Sequence, residues 1–491
     1  MREVKRIEWL IGKFRHHLVL EFLWIIVDQF VFTENQIDAA DHFREGSKHP
    51  MMNSNLGQLR RHLRPSDLRG VAQLATQATT SVTTIVEGVH RAVLDTLPLP
   101  SRGAPGRTWG ISGLVYRNIY GITELVGRGL DVTLAELEPL LEIDEDFEPA
   151  TPQRAAILSV LNGVMGDRLA ANDSPFALPM TIRYAGRALD WQAMPDMPDA
   201  GGKVVLLIHG LCMNDLQWNT VRDLHIVDHA STLETTLGYT PVYLRYNSGL
   251  HVSLNGRELA AELEQLITHW PVPIEELTIL AHSMGGLLAR SAVYYAEQDG
   301  LSWPDHLRNL LFLGTPHHGA PLARGGHWVD AFLDSTPYTA PFVRLGQLRS
   351  AGVTDLRYGH LLDTDWQGHD RFHRHPDSRQ IVPLPPSVNC YAIAATTEAS
   401  ARPEKPSLIG DGLVPIPSAL GKHEEKGHGL AFAEDRQWIA YRTNHMGLLS
   451  SRDVNRKLTE WLASNTDIRH EIIHATPLGN GTPAPASLYP G

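Results

Sequence analysis

The chain has 491 residues, 43% of them hydrophobic and 20% charged, and a formal net charge of −12. That length exceeds one typical domain, and the composition is that of an ordinary globular protein with ample apolar material for a core. The acid excess argues against a general nucleic-acid binder, which needs a basic surface. Two cysteines, Cys212 and Cys390, are too few for a disulfide framework. Both lie beside predicted strands and read as buried thiols, which fits a reducing, cytoplasmic compartment.

In chain order, residues 1–67 form an extension. An apolar stretch at 17–32 follows the basic residues Arg2, Lys5, Arg6, Lys13 and Arg15. Glu21 and Asp28 interrupt it, so it falls short of the ~20 apolar residues a spanning helix needs. No small-x-small cleavage site follows, which argues against a secretory signal. A packed or interfacial amphipathic helix fits the pattern, as does an upstream extension with translation starting at Met51 or Met52.

Residues 68–178 read as an N-terminal α-helical appendage. Leu68, Val71, Ala75, Ala78, Val82, Ile85, Val89 and Val93 recur in steps of three and four, which marks one helical face. Pro98, Pro100, Pro105 and Gly106 break the chain. A second stripe runs Ile111, Val115, Ile119, Ile122, Val126, Leu130, and a third helix is capped by Thr151 with Pro152 at its first position. These faces suit docking on a neighbouring domain or a peripheral membrane contact.

From residue 179 to 465 the texture is α/β. Residues 180–184 and 187–191 flank Ala185-Gly186 as a hairpin. Residues 203–208 read as a strand, continuously apolar from Val204, as a strand covered on both faces of a parallel sheet must be. Further strands are expected at 240–246, 277–280, 309–313 and 389–395, with helices at 256–269, after Ser283, and at 453–463. Residues 319–387 interrupt this alternation as a loop-rich cap insertion rich in His and Pro, of the kind that covers a site. Residues 466–491 read as a disordered tail, Pro-, Gly- and Ala-rich from Thr476.

The chemistry gathers around Leu280-Ala281-His282-Ser283-Met284-Gly285-Gly286, between a strand and a helix. A sharp turn there lifts a serine hydroxyl out of the sheet while small neighbours let the backbone pass, which is a nucleophile elbow with Ala281 in place of the usual first glycine. A serine hydroxyl also needs a base, a group to orient that base, and donors for a developing oxyanion. The strand at 204–208 ends in His209-Gly210-Leu211-Cys212, whose Leu211 amide is the expected first donor. The Met284 amide, at a helix N-terminus, is the second. His209 precedes the nucleophile and is expected to hold this loop rather than act as base. Asp411, in Gly410-Asp411-Gly412-Leu413-Val414-Pro415, follows a strand and is the expected orienting acid, with Asp355 and Asp363 as rivals inside the insertion. His445, in Thr443-Asn444-His445-Met446, precedes the last helix and is the expected base, with His423 and His428 as rivals in a charged loop.

Five blocks carry a family resemblance: Ile208-His209-Gly210-Leu211, Ala281-His282-Ser283-Met284-Gly285-Gly286, Leu313-Gly314-Thr315-Pro316-His317-His318-Gly319, Asp411-Gly412-Leu413-Val414-Pro415 and Asn444-His445. Over about residues 200–465 the chain resembles α/β-hydrolase lipases and esterases, and more narrowly bacterial relatives of the GPI inositol-deacylase-like and triacylglycerol lipases. The resemblance implies an α/β-hydrolase fold with a mostly parallel central sheet. It also implies a Ser283, Asp411, His445 triad that cleaves carboxylic or lipid esters through an acyl-enzyme, without cofactor. Trp218, Tyr246 and Asn247 follow strand ends beside the site and are candidate pocket residues, although Trp218 and Tyr246 suit core packing equally. His369, Asp370, His373 and His375 have metal-ligand chemistry, but Arg371, Arg374 and Arg379 interleave them, so no metal is expected there. The same triad serves an acyltransferase with an alcohol acceptor or a membrane-recruited lipid deacylase, and a non-catalytic scaffold would have lost a triad member.

Overall fold

A computed structural model describes Gln73 and residues 152–219, 227–320, 350–369, 379–400, 410–425 and 427–475, the last eleven of these as backbone only. The helices expected at 68–93 and 111–130, Thr151, the apolar stretch at 17–32 and the tail from 476 lie outside the described residues, Gln73 excepted. The chain divides into two compact units. One comprises Met1–Pro179, Asn247–Leu250 and Val329–Ala351; the other holds the remainder.

The first unit contains α1 (Pro152–Ala171), which starts at the proline expected at its first position. Asn162 is fully buried on this helix and spends its amide on carbonyls of Leu158 (2.8 Å) and Phe176 (2.7 Å), while its oxygen accepts the Leu178 amide (3.0 Å). That one side chain ties the helix to the turn that follows it, with every polar atom satisfied.

The second unit is built on a sheet of eight strands among the described residues. They are β1 (Thr181–Tyr184), β2 (Arg187–Ala188), β3 (Lys203–Ile208), β4 (Thr240–Arg245), β5 (Glu276–His282), β6 (Leu307–Leu313), β7 (Asn389–Ala395) and β8 (Gln437–Ala440). Their order is β2-β1-β4-β3-β5-β6-β7-β8; β1 pairs antiparallel with β2 and β4, and every other pairing is parallel. Val204 to Ile208 are all fully buried, because helices cover both faces of a parallel sheet. Each such Leu, Ile or Val contributes roughly 1.5–3 kcal/mol by leaving water.

Between these strands come α2 (His229–Leu237), α3 (Val252–His269) and α4 (Met284–Asp299). Asp228 caps α2 by accepting the Ser231 amide, and Gly238 ends it in the left-handed region at φ 71°. Leu259, Leu263 and Leu266 of α3 share one core with Leu288, Ala292 and Ala296 of α4 and with Leu206, Ile208 and Ile279 of the sheet. The two helices touch at Gly256, where a Cβ would meet Ser291 Oγ at 2.2 Å. The insertion contributes α5 (Ala351–Tyr358) and α6 (Asp363–Trp366), followed by α7 (Ile416–Ala419) and α8 (Arg452–Ala475). The backbone of α8 runs twelve residues past the expected end at 463. Cys212 and Cys390 are both buried thiols, and burial pushes each up to about 12. No helix among the described residues is long and apolar enough to cross a membrane.

Candidate active site

Strand β5 ends at His282, and Ser283 follows with φ 55° and ψ −125° before α4 begins at Met284. A non-glycine residue in that region is strained, and the strain holds because the turn is pinned on every side. The Ser283 amide donates to the Leu313 carbonyl at the end of β6 (2.8 Å). Gly285 packs on the end of β3, where a Cβ would stand 2.7 Å from the His209 carbonyl oxygen, and Gly286 abuts Thr315, where a Cβ would stand 2.0 Å from Oγ1. Ala281, standing where glycine is usual, is fully buried, paired with Ile208 and Phe312 on the two sides. A methyl group is therefore accommodated at that position.

The loop after β3 comes up against the serine. A Cβ on Gly210 would lie 3.0 Å from Ser283 Cβ, so the absence of a side chain eases this close approach. Cys212, two residues on, sits in the left-handed region at φ 58°, turning the backbone at Leu211. Among the described residues, neither the Leu211 nor the Met284 amide has a hydrogen-bond partner, which suits two donors aimed at a site. His209 is fully buried; its Nδ1 bonds the Gly210 carbonyl (2.8 Å) and its ring stacks on Tyr246 at 4.4 Å. Burial lowers it to about 4, so this ring is neutral and holds the loop. Tyr246 completes the clamp by donating its hydroxyl to the His209 carbonyl (3.0 Å).

Asp411 and His445 meet on the other side. His445 Nδ1 lies 2.7 Å from Asp411 Oδ2, and both residues are buried. Asp411 Oδ1 accepts the amides of Leu413 (2.9 Å) and Val414 (2.8 Å), and its carbonyl accepts the His445 amide (3.0 Å). The carboxylate is thus fixed in one orientation, with one oxygen left for the imidazole. His445 Nε2 is buried and has no protein partner among the described residues. Gly314, directly after the Leu313 that holds Ser283, adopts φ 58°, and a Cβ there would reach Asp411 Oδ2 at 3.1 Å and His445 Cε1 at 3.2 Å. One backbone step from β6 therefore separates the serine turn from the Asp–His pair.

His282 is a contributor that the sequence did not reveal. Its Nε2 bonds the His445 carbonyl (3.1 Å) and its ring lies 4.6 Å from the His445 ring. Burial, and then the neighbouring His445, drive it well below the ordinary histidine value, so it acts as a neutral donor. No local pattern signals this, because the partner is a backbone atom distant in sequence.

Of the candidate pocket residues, Trp218 is buried with its ring edge-on to His282 at 6.5 Å, and its Nε1 has no partner among the described residues. Tyr246 is the His209 clamp. Asn247, in the first unit, donates to the Gly166 carbonyl (3.0 Å) and accepts the Gly249 amide (3.1 Å). The rivals are engaged elsewhere. Asp355 is bound by His251 and His360, Asp363 pairs with Arg257, and His428 lies beside Glu425. Of the cluster His369, Asp370, His373 and His375, all but His369 lie outside the described residues.

Residues 199–375 match the family model described as the PGAP1-like alpha/beta domain. Among solved structures, the chain is 17% identical to the Bacillus licheniformis lipase BlEst2 in its mature form, covering 58% of this chain and 98% of that one at a TM-score of 0.34. It is 16% identical to the phospholipase PlaB of Legionella pneumophila, covering 45% and 46% at a TM-score of 0.29. It is also 16% identical to the RedJ thioesterase of the Streptomyces coelicolor prodiginine pathway, covering 60% and 99% at 0.29. A comparison with curated proteins finds no match. The sheet is that of a mostly parallel α/β fold, and residues 199–375 within it are similar to the PGAP1-like alpha/beta domain.

Proposed function

We propose that the protein is a serine hydrolase of carboxylic esters, with Ser283 as nucleophile, His445 as general base and Asp411 as the acid that orients it. The observation that carries this reading is the His445 ring itself. One nitrogen is held by Asp411 at 2.7 Å, and the other is buried with no partner among the described residues, beside a strained serine turn. A buried polar atom left unpaired costs about 1–3 kcal/mol, a cost retained where the atom has work to do.

In the reaction, His445 Nε2 takes the Ser283 proton as Oγ attacks the ester carbonyl, and Asp411 stabilises the imidazolium at Nδ1. The Leu211 and Met284 amides hold the oxyanion, each such donor being worth ~3 kcal/mol. His445 then protonates the departing alkoxide, leaving an acyl-Ser283. Water, deprotonated by the same ring, releases the carboxylic acid and restores the serine.

The test is initial rates on aryl esters of increasing acyl length, for wild type and Ser283→Ala. The variant is expected to lose at least about 10³-fold in kcat; equal rates sink the assignment. Preference for long chains above their solubility limit identifies a lipase, and a new ester formed with added alcohol identifies acyl transfer.

A further inference from the structure

We propose that Arg290, His317 and Arg379 form a binding site for a single phosphate group, in a cavity that none of the proposed catalytic residues lines. Arg290 stands on α4, the helix that follows Ser283, and is only 5% exposed. Its Nη2 donates to the Val382 carbonyl (2.5 Å) and its Nη1 to His317 Nδ1 (3.4 Å). Its Nε has no partner, and no carboxylate among the described residues pairs with the guanidinium. Asp365, whose charge Arg290 feels, is occupied elsewhere. Its Oδ2 accepts the Leu361 (2.8 Å) and Leu362 (3.0 Å) amides, and its Oδ1 accepts the Gln380 amide (3.0 Å). Burial, then Arg379, lower Arg290 only to about 10, so it is charged at neutral pH. A buried charge without a counter-charge is costly, and an anion removes that cost.

His317 brings a second donor to the same cavity. A guanidinium has no acceptor, so His317 Nδ1 must offer Arg290 its lone pair. Burial, then the Arg290 charge, hold this ring well below the ordinary histidine value. It is therefore neutral, and its one proton sits on Nε2. That Nε2 is buried with no partner among the described residues, on a side chain whose residue is 1% exposed. Two N–H groups, Arg290 Nε and His317 Nε2, are thus left over on residues that line one cavity. Water could satisfy both, but water cannot offset the guanidinium charge.

Arg379 lines the cavity as well, and its Nη1 donates to the carbonyls of His317 and Gly359 (both 3.3 Å), which holds a second guanidinium there. Among the described residues, no acidic side chain lines this space. The centres of oxygen-sized atoms have about 30 Å³ available in it, against roughly 10–15 Å³ for one water. That is room for one tetrahedral oxyanion. Phosphate suits the donors better than carboxylate does, because they come from three segments: α4, the stretch after β6, and the insertion. Phosphate oxygens accept from several directions, whereas a carboxylate presents two oxygens in one plane. A phosphate monoester also carries about −1.5 to −2 charge at neutral pH, which answers two guanidiniums. This inference stands independently of the proposed hydrolase activity.

The experiment is calorimetry on the full-length protein in phosphate-free buffer, titrated at constant ionic strength with inorganic phosphate, phenyl phosphate and acetate. One equivalent of phosphate is expected to bind, and the urea midpoint should rise with phosphate but not with chloride of equal ionic strength. Arg290→Met and Arg379→Gln should each weaken binding at least about tenfold. Arg452→Gln, an exposed arginine at the start of α8, should leave it unchanged. Circular dichroism establishes that each variant is folded; if Arg290→Met is not, Arg379→Gln, on a half-buried residue, carries the test. Binding of inorganic phosphate alone identifies the free ion as ligand, and binding of phenyl phosphate as well identifies a phosphate carried by an organic group. Binding of neither, an equal response to acetate, full affinity in a folded Arg290→Met or Arg379→Gln variant, or an equal loss in Arg452→Gln overturns the proposal.

Discussion

His282 Nε2 hydrogen-bonds the carbonyl of His445 at 3.1 Å, linking the residue before the Ser283 turn to one 163 positions further along the chain. The bond joins the end of β5 to the loop that carries the candidate base, so the relative placement of Ser283 and His445 depends on it. His282 meets His445 through its backbone carbonyl and its ring, which suits a positioning role. His282→Ala is expected to lower kcat between about tenfold and a hundredfold with KM nearly unchanged, the cost of misplacing a reacting group by a fraction of an ångström to an ångström. A change confined to KM, or none in kcat, would show that the bond is merely structural.

Asp411 splits its work between two oxygens. Oδ1 accepts the Leu413 and Val414 amides, and Oδ2 faces His445 Nδ1. Asp411→Asn can keep Oδ1 as acceptor, which turns its NH₂ towards His445 and forces the proton onto Nε2. The ring could then no longer accept the serine proton. The expectation is a loss of roughly 10³–10⁴-fold in kcat with a melting temperature close to wild type. Full activity in a folded variant would remove Asp411 from the mechanism.

Parts of the candidate site were legible in the sequence, where side-chain chemistry is written in short blocks. The elbow residues, the His209-Gly210-Leu211 loop and the order of Ser283, Asp411 and His445 could be read from neighbours in the chain, and the structure brings Asp411 onto His445. The strands were legible as well, because a strand covered on both faces must be a continuous apolar run, as at Val204 to Ile208. What the sequence could not supply were bonds to backbone atoms of distant segments: His282 to the His445 carbonyl, Tyr246 to the His209 carbonyl, Ser283 N–H to Leu313. A backbone acceptor has no residue type, so nothing at one end of such a bond predicts the other. For the same reason Tyr246, placed beside the site by its strand end, could not be separated beforehand into pocket wall and loop clamp.

Asp355 is fully buried on α5 and takes bonds from His251 (3.0 Å), His360 (3.2 Å) and the Val252 amide (2.8 Å) at the start of α3. Burial alone would raise its pKa, but the bonds from His251 and His360 outweigh that and hold it below the ordinary value. A depressed carboxylate contributes stability that is fully present above its unfolded value, about 3.9, and is lost as pH falls from there through the folded value. Asp355→Asn is therefore expected to cost about 3 kcal/mol in urea unfolding at pH 7, and the gap to wild type should narrow as pH drops below about 4. A gap that stays constant with pH would show that shape alone accounts for the loss.

Gly286 tests whether the elbow is held by close packing. A Cβ there would stand 2.0 Å from Thr315 Oγ1 and 2.8 Å from Phe312 Cδ1, so Gly286→Ala must push β6 away from the start of α4. Overpacking of this kind costs about 1–3 kcal/mol. Thr315 Oγ1 is buried without a partner among the described residues, so Thr315→Ala should be nearly neutral by itself while clearing the nearer clash. The double variant should therefore recover part, but not all, of the stability lost by Gly286→Ala, because Phe312 remains in the way. Denaturant unfolding of the four proteins measures this directly. Strict additivity would mean that the two side chains do not meet, and that the small residues of the elbow serve the backbone angles rather than the contact with Thr315.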